Sequence, residues 1–342
     1  MGGMTTQRMA VFGAYGHTGR FVVGELCRRG WSPIASGRDP ARLEEVARPG
    51  VELRPASVDD PASLDRAVAG AAAVINCAGP FAETASPVID AAMRAGIDYL
   101  DVSAESLVAI ETFARYGPAA AAAGRVVAPS AGFFGALGDL LATSAAGDWE
   151  EADAIEIAIA LDRWQPTRGT REAGRRRAGR RVLWSGGRIV VRAPDEPVPT
   201  RRWRFPAPVG EQEMIGELST ADAVTISRHL RTRDIHAYIN RKPIEDVTDP
   251  RTPGPEAADA SGRSAQTFVV EVVVRRNGEA RRRVARGRDI YAITAPIVAE
   301  AAERIVARRI RTAGAAAVGE LFDADDVLAA LAPHLAVERA AT

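Results

Sequence analysis

Along the first 135 residues, short apolar runs alternate with amphipathic ones. The runs Met9–Phe12, Pro33–Ser36, Val51–Pro55, Ala72–Cys77, Tyr99–Val102 and Arg125–Ala128 read as strands. The intervening segments Thr18–Arg29, Ala41–Ala47, Ala62–Ala69, Ser86–Ala95 and Ser106–Ala123 read as helices. Short apolar strands separated by helices imply a parallel sheet covered on both faces, and six of them are what a doubly wound dinucleotide-binding domain uses.

Near residue 150 the period changes. Ile155, Ile157, Ile159 and Leu161 alternate with smaller or polar residues, the mark of a strand with one covered face. The runs around Gly186-Gly187 and Asn277-Gly278 predict two hairpins, hence an antiparallel sheet. Residues 241–265 carry four prolines and few large apolar side chains, which predicts a mobile loop or flap. Helix returns at 294–310 and again at 322–331, the latter capped by Asp323. The expected class is therefore α/β: a doubly wound parallel (Rossmann) sheet with a second α+β domain built on a mainly antiparallel sheet. The expected boundaries are 5–148 for the Rossmann domain, 149–288 for a substrate and dimerisation domain, and 289–335 for C-terminal helices.

Composition narrows the function classes. Of 342 residues 46% are hydrophobic and 26% charged, an ordinary globular profile. Net charge is zero, so no overall field favours nucleic acid or an anionic membrane. Nearly all positive charge is arginine, with Lys242 the single lysine, a bias of genome base composition. Cys27 and Cys77 sit in apolar runs and read as small buried hydrophobes, and the four histidines show no zinc spacing. The start "MGGMTTQRMAVFG" has no signal-peptide apolar core, and no apolar run reaches the roughly 18 residues of a membrane helix, so the chain is expected to be cytoplasmic.

The chemistry concentrates in "GAYGHTG", where Gly13, Gly16 and Gly19 lie between the first strand and the first helix. A helix N-terminus offers free N–H groups and roughly half a positive charge, which suits a diphosphate. Gly13 permits the turn, Gly16 the approach of phosphate to backbone, and Gly19 close packing of helix on strand. Tyr15, His17 and Thr18 fill the same turn. At the end of the second strand, an NAD site would carry a carboxylate for the ribose. This chain has Ser36-Gly37-Arg38 with Arg42 one helical turn on, guanidinium groups that suit a 2′-phosphate, so NADP is the cofactor expected. The alternative for Arg38 is a merely solvated side chain. Asn76, Ala78, Gly79 and Pro80 end the fourth strand, where backbone would border the cofactor's ribose.

Together "GAYGHTGRFV", "ASGRD", "NCAGPF", "YLDVSAE", "SAGFFGALGDLLA" and "DIYAITAPIVAEAA" resemble the saccharopine dehydrogenase-like reductases, a group that includes trans-acting enoyl reductases. The resemblance implies a Rossmann domain, an α+β second domain and a C-terminal helix packed back on the first. It also implies NADPH-dependent reduction of a polarised C=C or C=N bond in a small or carrier-bound metabolite. For the proton donor the sequence offers Tyr99, Ser103 and His229. Ser103 and Glu105 serve equally well as caps of the next helix. Thr167–Thr170 and Arg228 add polar groups from the second domain. The run Arg171–Arg181 reads as a solvated face in preference to a site for an acidic partner. A homodimer paired through the exposed antiparallel sheet is expected. The competing class is an NADP-binding sensor or assembly partner without turnover, favoured by the lack of one unambiguous proton donor.

Overall fold

The structure is a computed structural model that describes residues 7–177 and 179–339. The reading of the N-terminus and the expected domain start at residue 5 fall on residues outside the described ones, as does position 178 within the arginine run. The first domain runs β1 (Arg8–Phe12), α1 (His17–Arg28), β2 (Ser32–Gly37), α2 (Pro40–Leu43), β3 (Glu52–Pro55), α3 (Pro61–Val68), β4 (Ala73–Asn76), α4 (Phe81–Ala95), β5 (Asp98–Asp101), α5 (Ser106–Ala122), β6 (Val126–Ala128) and α6 (Ala136–Ala146). The second runs β7 (Glu151–Leu161), α7 (Arg168–Arg177), β8 (Arg181–Ser185), β9 (Arg188–Arg192), β10 (Thr200–Arg204), β11 (Glu211–Ile215), α8 (Asp222–Ser227), β12 (Arg231–Asn240), α9 (Arg241–Thr248), β13 (Thr267–Arg276) and β14 (Glu279–Arg288). The chain closes with α10 (Thr294–Val306), β15 (Gly314–Ala315), α11 (Val318–Leu321), α12 (Ala324–Ala330) and β16 (Ala336–Arg339).

The first sheet is parallel, in the order β15-β6-β5-β4-β1-β2-β3. The six expected strands are there, and a seventh, β15, arrives from the far end of the chain. Because β1 lies between β4 and β2, the strand order reverses at β1, and the crevice beyond its carboxyl end is where an open α/β sheet binds ligand. The second sheet, β10-β11-β12-β7-β13-β14-β16, is mixed: β12 runs parallel to β7 and the other pairings are antiparallel. Both predicted hairpins form, β8–β9 and β13–β14.

Strand β7 departs from its expected single covered face. Ile155, Ile157 and Ile159 pack in the main core, while Ala158 and Ala160 on the opposite face pack with Trp203 and Phe205. Strands lie about 4.8 Å apart, so β10 would stand about 19 Å from β13 in a flat sheet. Yet Trp203 Nε1–H of β10 donates to Glu271 of β13 at 2.8 Å, which requires the sheet to curl over its own outer face. One continuous core joins the domains: Val11, Val22 and Leu26, Leu137 and Leu141 of α6, Val270 and Val272 of β13, and Ile297 and Ile305 of α10 all belong to it.

The segment expected as a flap is partly helix. Residues Arg241–Thr248 form α9, and Arg171 ties its end down by donating to the carbonyls of Val247 (3.1 Å) and Thr252 (2.7 Å). Only the stretch after it is irregular. Among the described residues no helix is long and apolar enough to cross a membrane.

Candidate functional site

Gly13 ends β1 at φ +81°, and its N–H, with that of Ala14, donates to the Ser36 carbonyl of β2 (2.8 and 3.0 Å). A Cβ on Gly13 would lie 2.7 Å from the Ala78 nitrogen, and one on Gly19 2.2 Å from the Gly13 oxygen. Those two glycines let β1, α1 and the β4 end close on one another. Gly16 is the N-cap of α1 and supplies no side chain to cap it. The first helical bond is Arg20 N–H to the Gly16 carbonyl (3.0 Å), so the amides of His17, Thr18 and Gly19 are free. This is a cradle for an anion.

The adenosine side is equally well formed. The Tyr15 ring lies on Gly37, where a Cβ would come within 2.6 Å of its Cε1. The Arg42 guanidinium stacks 4.3 Å above the centre of that ring. Asp39 accepts the N–H groups of Ala41 (3.1 Å) and Arg42 (3.3 Å), so its carboxylate caps α2. Arg38 and Arg42 are exposed, and among the described residues neither has a carboxylate partner.

At the β4 end the structure gives Asn76 the role of a turn-former. Asn76 is fully buried; it donates to Thr84 Oγ1 (3.2 Å) and Tyr99 Oη (3.3 Å) and accepts from Ala78 N–H (2.9 Å). Both ends of its amide shape the β4–α4 turn, leaving nothing to offer a ribose. Ala78 is likewise engaged through its carbonyl, which accepts from Thr84 Oγ1 at 2.5 Å. Gly79 and Pro80 remain as open, small backbone beside Gly13.

The expected proton donors are also placed elsewhere. Tyr99 is fully buried and donates to Asp101 Oδ2 (2.9 Å), so it faces core and not the crevice. Asp101 Oδ1 in turn accepts the N–H groups of Ser103 (2.9 Å) and Ser130 (2.8 Å), binding the β5 and β6 loops together. The Ser103 hydroxyl, also fully buried, accepts Glu105 N–H (2.9 Å) and so shapes the turn ahead of α5; Glu105 is the N-cap of that helix, and neither side chain caps it as expected. Glu105 accepts Phe81 N–H (3.1 Å) at the start of α4. His229 lies 2.6 Å from Asp139 of α6, whose other oxygen accepts Gly319 N–H (2.7 Å). Burial pulls the His229 pKa down, but the Asp139 charge and hydrogen bond outweigh it and leave it raised. That pair fastens α8 to α6 and α11.

Asp101 carries a pH-dependent prediction. Burial raises its pKa from 3.8 to about 6 against the lowering effect of its hydrogen bonds. A carboxyl raised in the folded state stabilises below its unfolded pKa and loses that contribution as pH rises through the folded one. The gap is worth about 3 kcal/mol. Wild type should therefore lose stability relative to Asp101→Asn between about pH 4 and pH 6. Urea unfolding of both proteins across that range checks it, and parallel curves would refute it.

The site residue that sequence reading passed over is Tyr291, just before α10. Its hydroxyl accepts from Trp164 Nε1–H (2.9 Å) and Thr167 N–H (3.2 Å) and lies 2.8 Å from Thr170 Oγ1. With both lone pairs engaged, its proton points to Thr170. Its ring meets the edge of His17 at 5.2 Å between centres, and His17 also packs on Phe21 at 5.3 Å. Phe134, in the turn before α6, leans on Trp164 at 5.9 Å. The glycine turn, the start of α7 and the approach to α10 thus converge on one tyrosine. The only signal in the sequence was a single aromatic inside an otherwise helical-looking segment. A separate open groove across the β10–β11 hairpin is lined by Arg201, Arg202, Glu211 and Glu213, which are ion-paired among themselves or with neighbours. Among the described residues no group of His, Cys, Asp and Glu is placed to hold a metal ion.

A parallel sheet reversing at β1, with a glycine turn there that leaves helix amides free, defines a nucleotide-binding Rossmann domain. Residues 13–112 match the model of an NAD(P)H-binding family, so this is a nicotinamide dinucleotide domain. Part of the chain is similar in sequence to saccharopine dehydrogenase-like oxidoreductases. It is 34% identical over 142 residues to a probable mitochondrial member from Arabidopsis thaliana, covering 36% of this chain and 31% of that one. It is 32% identical over 161 residues to the Bos taurus protein, covering 40% and 38%. The chain thus spans about a third of the length of the curated relatives it matches. Its fold is shared with apo saccharopine dehydrogenase (L-Glu forming) from Saccharomyces cerevisiae, at TM-score 0.70 and 13% identity over 98% of this chain and all of that one.

Proposed function

We propose that this chain is an NADPH-dependent oxidoreductase that reduces a polarised C=C or C=N bond of a small or carrier-bound metabolite. The observation that carries the reading is the pairing of the glycine cradle with two exposed guanidinium groups at the β2 end that have no carboxylate partner among the described residues. The cofactor fits: the amides of His17, Thr18 and Gly19 have no partner among the described residues, and Gly16 at the helix start carries no side chain to cover them. His17, Thr18 and Gly19 would hold the diphosphate, Arg38 and Arg42 the adenosine 2′-phosphate, and Gly79–Pro80 would border the ribose. When bound, the reduced nicotinamide supplies a hydride. Trp164, Thr167 and Thr170 reach the glycine turn through Tyr291, whose ring contacts His17, so the second domain is in place to take part in enclosing a substrate there. A homodimer formed through the second sheet completes the proposal.

Calorimetry with NADPH and NADH tests the cofactor. Hydrogen bonds to charged groups contribute about 1.5–3 kcal/mol each, so Arg38→Ala should weaken NADPH binding about tenfold to a hundredfold. NADH binding should change less than about twofold, because Arg38 is exposed and has no ion-pair partner among the described residues. Equal losses for both dinucleotides would defeat the assignment. The sensor reading draws on one observation, that Tyr99, Ser103 and His229 are all engaged elsewhere. NADPH that binds but is never consumed with any enoyl or imine substrate would favour it.

A further inference from the structure

His17 is the first residue of α1, beside the free amides of the anion cradle. Its ring is held edge-on between Phe21 of its own helix and Tyr291 of the turn ahead of α10. Nε2 is buried with no hydrogen-bond partner. Nδ1 is not among the buried unpartnered atoms and has no hydrogen bond to a described residue, so it is open to solvent. An imidazole with one nitrogen caged by aromatic rings and the other solvated, one turn from unpartnered helix amides, is a base whose charge state answers to a nearby anion.

We propose that His17 is the proton carrier of the dinucleotide site: it takes up a proton as the anionic cofactor binds and holds it at the seam between the two sheets. This rests on the reading of the crevice as a dinucleotide site. The charged groups facing His17 are Arg20 on α1 and Asp289 on the turn carrying Tyr291. Arg20 opposes a proton there, but it is paired with Glu45 and donates to the Tyr15 carbonyl (2.9 Å). Asp289 favours one, though its oxygens already accept from Ser264, Tyr291 and Ala292. Burial is the dominant influence in the free protein and depresses the pKa below 6.5. An anionic phosphate held by the amides at the start of α1 would favour the charged imidazole and oppose that effect. Between the free and bound pKa values, binding consumes a proton, and affinity falls as pH rises through the bound value.

The test is imidazole NMR of the whole chain across about pH 5–8.5, free and saturated with NADH or NADPH. NADH comes first, because it lacks a 2′-phosphate that itself titrates. The chain has four histidines. Single Gln substitutions at His17, His229, His236 and His334 assign them. The expected result is a signal, lost in His17→Gln, whose midpoint lies below 6.5 when free and rises by a pH unit or more with either dinucleotide. Calorimetry in buffers of different ionisation enthalpy should show proton uptake in wild type and none in His17→Gln, whose binding should be weaker at low pH by up to about tenfold and lose its pH dependence. A midpoint that does not move, or uptake that persists in His17→Gln, overturns the proposal; the wild-type midpoint decides even where the variant does not fold. Absence of binding heat with both dinucleotides brings down the cofactor reading itself, and this one with it.

Discussion

Gly19→Ala should abolish dinucleotide binding and destabilise the protein by about 2–4 kcal/mol, while Gly24→Ala in the same helix should stabilise it by up to about 1 kcal/mol. The two substitutions are chemically identical and differ only in what the new methyl meets. At Gly19 it meets the Gly13 carbonyl oxygen at 2.2 Å and Ala14 Cα at 3.0 Å, both backbone. No rotamer can relieve that, so α1 must lift off β1. At Gly24 the nearest atom is Arg48 Nη1 at 3.7 Å, ordinary contact with the tip of a flexible side chain. The gain there comes from removing unfolded-state freedom that glycine has and alanine lacks. Lifting α1 also moves the free amides of His17, Thr18 and Gly19 off the Gly13 turn, so the loss of binding and the loss of stability have one cause. Urea unfolding and NADPH titration of both variants check this. Equal effects at the two positions would show that helix propensity, not the closure of β1 on α1, governs the site.

The legible parts of the molecule were those where local pattern and tertiary role coincide. Strands β1, β4 and β6 carry continuous apolar runs, because both faces of the sheet are covered at its centre, and the glycines marked the anion cradle. Asp323 caps α12 by accepting Asp326 N–H at 3.0 Å, as its position before an apolar run predicted. What escaped was defined by distant partners. Strand β15 has two residues and exists only because β6 offers it an edge. Strands β10 and β11 read "TRRWR" and "EQEMI", too polar for a buried strand; Trp203 and Met214 alone anchor them against the outer face of the sheet. Helix α4 begins at Phe81, ahead of the expected Ser86, and runs through Pro87 because Glu105 from a different loop holds Phe81 N–H. The same limit applied to the site. Tyr99, Asp101 and Ser103 do share a stretch of strand, but hydrogen bonds to Asn76, Ser130 and Glu105 turn them inward. Tyr291 gained its place only when α7 and α1 came to rest on either side of it.

The second large effect is expected at Arg29, where α1 meets α10. Its guanidinium donates to Glu25 of α1 (2.7 Å) and to Glu300 (2.8 Å) and Glu303 (2.5 Å) of α10, with the side chain 13% exposed. Arg29→Met keeps the apolar stem and strands three carboxylates around it. Removing one partner of a buried ion pair costs about 3–5 kcal/mol. Arg28 still serves Glu25 and Arg304 still serves Glu300, and Glu303 is partly solvated, so about 2–4 kcal/mol is expected at pH 7. The pH dependence separates this from lost packing. Burial pushes the Glu25 and Glu300 pKa values up, but hydrogen bonds from arginine outweigh it and leave both below 4.5. A depressed carboxyl stabilises above its unfolded pKa, and that contribution disappears as pH falls through the folded one. In Arg29→Met burial meets weaker opposition, the carboxyls rise, and protonating them becomes favourable. The difference between wild type and variant should therefore be largest near neutrality and shrink toward about pH 4. Arg28→Met, on a side chain that is 59% exposed, should cost less than about 1 kcal/mol at any pH. Because Thr294 at the start of α10 accepts Phe133 N–H (3.1 Å) and Tyr291 lies just ahead of it, loosening α10 should also weaken the seam that holds His17. A penalty at Arg29 that stays constant with pH would mean that the methylene stem, not the charge, joins the two helices.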